Sequence, residues 1–298
     1  MVVTARWPEL PPAQFVQLPG RGRTWVYDTG PAPEEAAPPI VLLHGWTSTA
    51  ALNWYRCFRP LAEGRRVVAL DHRGHGRGIR SRRPFRLEDC ADDVAALVDR
   101  LELAKPIVVG YSMGGPVAQL LWKRHPKKVR GLVLCATATH FAVRREFGGV
   151  VGAAGFGLSL ALSGIPYEAR KWGVSYLLRS RPETAGAHEW AMAEWERTDP
   201  AAMIQAGLAI GRFDSRPWIG GIDVPVSVVV TTLDTTVSPK RQRRLAEMIP
   251  GSVSFDVEGT HRACVDEARV FVPALKSACA SVAERAARAA GEEVISTA

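Results

Sequence analysis

Short, mainly apolar runs alternate with segments of helical spacing along most of this chain. Residues 40–43, Ile-Val-Leu-Leu, form the first run and end at His44-Gly45. Runs at 66–70, 106–110, 129–135, 224–232 and 252–257 follow, several of them rich in β-branched side chains, and each predicts a strand. Between and after them, residues 49–61, 87–103, 113–124, 239–248 and about 265–290 predict helices. In 87–103 the apolar positions Ala91, Val94, Leu97, Val98 and Leu101 recur at helical spacing and line one face. Strands that are apolar along their length, alternating with helices, imply a parallel sheet covered on both sides. The fold class is α/β.

The pattern changes between 139 and 220. Aromatic residues gather there, among them Phe141, Phe156, Tyr167, Trp190, Trp195 and Trp218, with helical periodicity and no strand. This predicts a helical insertion, so that 1–139 is the first part of the α/β core, 140–220 a helical lid or cap, and 221–298 the second part of the core. Residues 147–167 carry no charge, a stretch of roughly the twenty residues that span a bilayer. Six glycines, Gly148, Gly149, Gly152, Gly155, Gly157 and Gly164, make it a poor helix former. The expectation is a mobile apolar lid, with Phe156 in it, that lines an acyl site and touches lipid surfaces transiently.

Composition narrows the picture without redrawing it. At 47% apolar and 23% charged residues over 298 positions, the chain is globular and needs no disulfide staples. The five cysteines form no Cys-x-x-Cys pair and have no zinc-like histidine spacing, and residues 1–14 lack the apolar run of a signal peptide. A reduced, cytoplasmic protein is expected. The net charge of +8 is spread along the chain, apart from Arg73, Arg77, Arg80, Arg82, Arg83 and Arg86. Phe85 alone among aromatic residues falls inside that cluster, which is no stacking platform, so it reads as a solvated loop or an anion-attracting rim, and nucleic acid is not an expected partner.

The chemistry centres on Gly110-Tyr111-Ser112-Met113-Gly114, which joins a predicted strand to a predicted helix. A sharp turn there exposes a serine oxygen above the sheet. That oxygen needs a base, and in this strand–turn–helix architecture the acid and histidine follow the serine in the chain. His125 ends a helix, and His140 and His188 lie in or at the insertion. His261 follows the strand 252–257, at the end where open α/β sheets place their sites. Asp234 ends the strand 224–232, whereas Asp223 precedes it and Asp256 lies within the next one. Ser112, His261 and Asp234 are therefore the candidate nucleophile, base and orienting acid. The backbone N–H groups of Met113 and Trp46 are the candidate donors to a developing oxyanion, with His44 holding the loop. No metal and no organic cofactor is required.

With these motifs, together with Asp71-His72-Arg73-Gly74-His75-Gly76 and Pro239, the chain resembles the α/β-hydrolase superfamily over nearly its whole length. The resemblance implies an eight-stranded, mostly parallel sheet, a helical lid after the sixth strand and a serine triad. A serine nucleophile disfavours haloalkane dehalogenases and epoxide hydrolases, which use aspartate there. His-Gly-Trp-Thr is not the His-Gly-Gly-Gly of hormone-sensitive-lipase-like esterases, and the Gly-Pro-Gly of many C–C bond hydrolases is absent. The expected activity is hydrolysis of a small-molecule carboxylic ester with a lipophilic part. A lactonase or C–C bond hydrolase acting on a small oxo-acid, and a ligand-sensing relative with little turnover, stand as alternatives.

Overall fold

The computed structural model describes residues 8–32, 37–141 and 187–291, with the side chains of 187 and 188 excepted. Eight strands form one sheet in the order β1-β2-β4-β3-β5-β6-β7-β8. They are β1 (Ala13–Leu18), β2 (Gly22–Asp28), β3 (Ile40–Leu43), β4 (Val67–Leu70), β5 (Ile107–Tyr111), β6 (Gly131–Cys135), β7 (Val226–Thr231) and β8 (Val253–Val257). From β4 to β8 across the sheet all neighbours are parallel, while β2 is antiparallel to both β1 and β4.

The predicted runs β3 to β7 are strands whose residues are all buried, on alternate faces, whereas β8 is an edge strand in which only Val257 is buried. Val41, Leu43, Val68, Val108 and Leu132 pack toward α3 (Leu87–Arg100) and α4 (Gly114–Arg124). Ile40, Leu42, Val67, Val109 and Val133 pack toward α1 (Ala50–Trp54), α2 (Phe58–Leu61) and a long C-terminal helix. Each such side chain contributes about 1.5–3 kcal/mol relative to exposure. Chain order places the site. After β3 the chain crosses to β4 on one side and returns to β5 on the other, so the loops after β3 and β5 part at the carboxyl edge and leave a crevice.

Two differences from the periodicity have local causes. Residues 49–61 are two helices, not one, with a turn at Tyr55-Arg56-Cys57. In a single helix Pro60 would lack its N–H and press on the Arg56 carbonyl; the break puts it in the first turn of α2, where proline is tolerated. The β1–β2 hairpin, absent from the apolar pattern, is an edge ribbon in which only Val16 and Leu18 of β1 are buried. Its turn carries Pro19-Gly20, with Gly20 at φ +70°, a signal that periodicity alone does not weigh.

Between β6 and β7 the described residues form α5 (Ala187–Trp195) and α6 (Pro200–Arg212), with Asp199 capping α6 through Ala201 N–H (2.9 Å). They are tied to the loops at the carboxyl edge. Asp199 N–H donates to the Gly74 carbonyl (2.8 Å), and the Trp46 indole donates to the Met203 carbonyl (2.8 Å). The uncharged stretch 147–167, with Phe156, lies outside the described residues. No helix among those described is long and apolar enough to cross a membrane. After β7 come α7 (Pro239–Glu247) and, following β8, α8 (Ala268–Ala290), which buries Phe271, Leu275, Ala278, Cys279 and Val282 on the sheet.

Candidate active site

Ser112 sits in the turn from β5 to α4 with φ +51°, a conformation that costs a non-glycine residue about 1–3 kcal/mol. The surroundings hold it there. Its N–H donates to the Cys135 carbonyl (2.9 Å), and its own carbonyl accepts from Gly115 N–H (2.9 Å) and Thr137 Oγ1 (2.8 Å). The flanking glycines are required by close approach: a Cβ on Gly110 would lie 2.3 Å from the Gly114 carbonyl oxygen, and one on Gly114 2.2 Å from that of Leu43.

The loops after β5, β7 and β8 bring the three predicted side chains together. Ser112 Oγ is 3.0 Å from His261 Nε2, and His261 Nδ1 is 2.7 Å from Asp234 Oδ2. With a carboxylate on Nδ1, that nitrogen carries the proton and Nε2 accepts from the serine hydroxyl. Asp234 is buried, which by itself would raise its pKa. The hydrogen bond and charge of His261, with the amides of Val237 and Thr236, outweigh burial and hold the carboxyl below its ordinary value. Thr231 Oγ1 (3.0 Å) and Gln242 Nε2 (3.2 Å) also donate to Oδ2. His125, His140, Asp223 and Asp256 lie elsewhere: His125 bonds Asp92, Asp223 accepts from the Trp122 indole, and Asp256 pairs with Arg243.

The loop after β3 faces the serine. Gly45, Trp46 and Ser112 line one cleft, and the N–H groups of Trp46 and Met113 have no protein acceptor among the described residues. His44 braces the loop: Nδ1–H donates to the Gly45 carbonyl (2.8 Å), and Nε2 accepts from His72 N–H (2.9 Å). Motif reading missed Asn53, whose Oδ1 accepts from Gly45 N–H (2.9 Å) while Nδ2 reaches Cys264 Sγ (3.4 Å). It missed the Tyr111 hydroxyl on the His261 carbonyl (3.0 Å) as well. Tyr111 at least stands at the second position of the Gly-x-Ser-x-Gly motif, whereas nothing local singles out Asn53.

The cleft, about 1180 Å³, has Ser112 and His261 in its lining. Trp46, Leu52, Tyr55, Trp190, Met192 and Val265 give it apolar walls, and Arg56, Arg59, Arg262 and Glu9 add charge. None of the arginines clustered at 73–86 lines it. Arg73 is buried and bidentate on Asp93 (2.7 Å for both bonds), and Arg77 pairs with Glu194 (3.3 Å). That cluster is therefore no rim to this site.

A family model of the alpha/beta hydrolase fold matches residues 38–153. The chain is 35% identical over 128 residues to the dihydrolipoyllysine-residue acetyltransferase component of the acetoin cleaving system of Pseudomonas putida, a match over 43% of this chain that spans 33% of that protein. It is 29% identical over 221 residues to the pimeloyl-[acyl-carrier protein] methyl ester esterase of Neisseria meningitidis, covering 73% of this chain and 84% of the other. The solved structure of an esterase from Exiguobacterium antarcticum superposes with a TM-score of 0.71 at 23% identity, over 90% of this chain and 99% of that one.

Proposed function

Since this chain belongs to the α/β-hydrolase superfamily, we propose that it is a serine hydrolase of carboxylic esters with a lipophilic acyl or alcohol part. The observation that carries the reading is the hydrogen-bonded series Ser112–His261–Asp234 in the lining of an apolar cleft. Ser112 Oγ attacks the ester carbonyl as its proton passes to His261 Nε2, and Asp234 stabilises the imidazolium. The oxyanion is held by the Trp46 and Met113 amides, which are already free to receive it. The bond to the alcohol oxygen then breaks as His261 returns the proton to it. Water repeats the cycle on the acyl-enzyme and releases the acid.

The test is covalent labelling with a fluorophosphonate probe alongside ester kinetics. Ser112→Ala abolishes labelling and lowers turnover roughly 10³-fold or more, because residues that act as a unit lose most of their effect together. His261→Ala does about as much. Equal labelling of wild type and Ser112→Ala ends the reading, and a wild type that neither labels nor turns over esters leaves the ligand-sensing alternative.

A further inference from the structure

The cleft has apolar walls and three arginines in its lining, and these cations are not equally engaged. Arg262 donates to both oxygens of Asp266 (2.7 and 3.1 Å), so its charge is matched. Arg56 and Arg59, exposed beside α1 and on α2, form no ion pair among the described residues. Glu63, whose carboxylate feels Arg59, is already hydrogen-bonded to Lys276 (2.6 Å). Glu9 is the one carboxylate among the described residues lining the cleft.

The position of Arg56 is nonetheless defined. Its guanidinium lies over the Tyr55 ring at 5.1 Å and its Nε donates to the Tyr55 hydroxyl (3.0 Å). Tyr55 in turn packs edge-on against Trp190 at 5.5 Å. The short helices beneath are anchored by Trp54 and Phe58, both fully buried. Two arginines three residues apart repel each other, and a guanidinium held by an aromatic face keeps its planar fork for an oxyanion.

We propose that Arg56 and Arg59 form an anion subsite, and that the preferred esters carry a carboxylate at the end remote from the scissile bond. The apolar walls between Ser112 and this pair then receive the intervening chain. This deepens the ester-hydrolase reading and rests on it. Because both arginines are exposed, the attraction is moderate and screened by salt.

The test uses matched esters that differ only in the terminal group: methyl hexanoate against monomethyl adipate, and methyl octanoate against monomethyl suberate. In wild type at low salt, the anionic member of at least one pair has the higher kcat/KM, by about fivefold to tenfold. High sodium chloride brings the ratio toward one, and so does Arg56→Gln/Arg59→Gln. The control Arg82→Gln/Arg83→Gln removes the same charge from exposed positions outside the cleft and keeps the wild-type ratio. Neutral esters preferred in both pairs, or a control that lowers the ratio as far as the cleft variant, overturns the subsite. Suberate binding by calorimetry needs no turnover and weakens about tenfold in Arg56→Gln/Arg59→Gln. Suberate bound without ester turnover or probe labelling sinks the hydrolase reading and leaves the subsite standing; turnover and labelling without any charge preference do the reverse.

Discussion

Asp234→Asn keeps the shape of the side chain and removes its charge. In the native site Oδ1 accepts from the N–H groups of Thr236 (2.8 Å) and Val237 (2.9 Å). Oδ2 accepts from His261 Nδ1 (2.7 Å), Thr231 Oγ1 (3.0 Å) and Gln242 Nε2 (3.2 Å). Every neighbour donates, a demand that a carboxylate meets on both oxygens and an amide on one only. If the asparagine oxygen stays with the two backbone amides, its NH₂ faces Gln242 Nε2. Gln242 cannot simply turn over, because its own oxygen accepts from Thr231 N–H (3.0 Å). The loss of one charge-assisted bond and one donor–donor contact costs about 2–4 kcal/mol of stability. The same NH₂ donates to His261 Nδ1 and moves the ring proton to Nε2, the atom that has to accept from Ser112; that costs roughly 10²–10⁴ in kcat. The assay is kcat and KM on p-nitrophenyl butyrate, with urea unfolding run in parallel so that a smaller folded fraction is not mistaken for slower chemistry. Asp223→Asn and Asp256→Asn, at exposed positions whose partners lie away from the site, stay within about threefold of wild type, as surface changes usually do. A folded Asp234→Asn protein that keeps more than about a tenth of the wild-type kcat, or a control that loses more, refutes the reasoning.

Two other perturbations test the frame around the site. The His72 and His75 ring centroids lie 4.4 and 5.5 Å from that of His44, and burial lowers all three pKa values, that of His72 to about 3 and that of His75 to about 4; neighbouring histidines add to it at His44 and His72, and Arg80 at His75. Since the unfolded chain binds these protons near pH 6.5 and the folded one does not, their stability is present above that pH and lost as pH falls toward 4. Between pH 7.5 and 5.5 they lose a little over 1 kcal/mol each by this linkage. Asp71, its carboxyl pushed up to about 6 by burial, acts in the opposite sense and leaves a net loss of about 3 kcal/mol. Urea midpoints at the two pH values measure it; His75→Gln reduces the drop by about 1 kcal/mol, and an unchanged midpoint in wild type contradicts the assignment. Trp46→Phe keeps an aromatic side chain and the backbone amide but deletes the indole bond to the Met203 carbonyl. At about 1 kcal/mol for that bond, kcat/KM falls about fivefold, with the loss in kcat; kinetics equal to wild type mean that α6 does not help to position the loop after β3 as the proposed mechanism requires.

What could be read without coordinates was local or periodic. Strands β3 to β7 announce themselves because their side chains are enclosed, so they appear as short, mainly apolar runs. The turn at Ser112 is written partly in adjacent residues, since the close contact of Gly110 is with the Gly114 backbone in the same strand–turn–helix unit, while that of Gly114 is with Leu43 on the neighbouring strand β3. Chain order then singled out His261 and Asp234, each at the carboxyl end of a predicted strand.

The tertiary structure alone decided which polar groups meet. Six arginines crowded in sequence invite a reading as a charged rim, yet Arg73 and Arg77 are taken by Asp93 and Glu194, and the cleft is faced by Arg56, Arg59 and Arg262. Asn53, Tyr111 and Gln242 brace the loop after β3, His261 and Asp234 through bonds that span 8, 150 and 8 positions. Hydrophobic periodicity reports which face of an element is covered, because burial depends on one residue's own transfer free energy. Pairing of charges and hydrogen-bond donors depends on two side chains brought within about 3 Å by the packing of separate elements, and no spacing along one strand or helix encodes that.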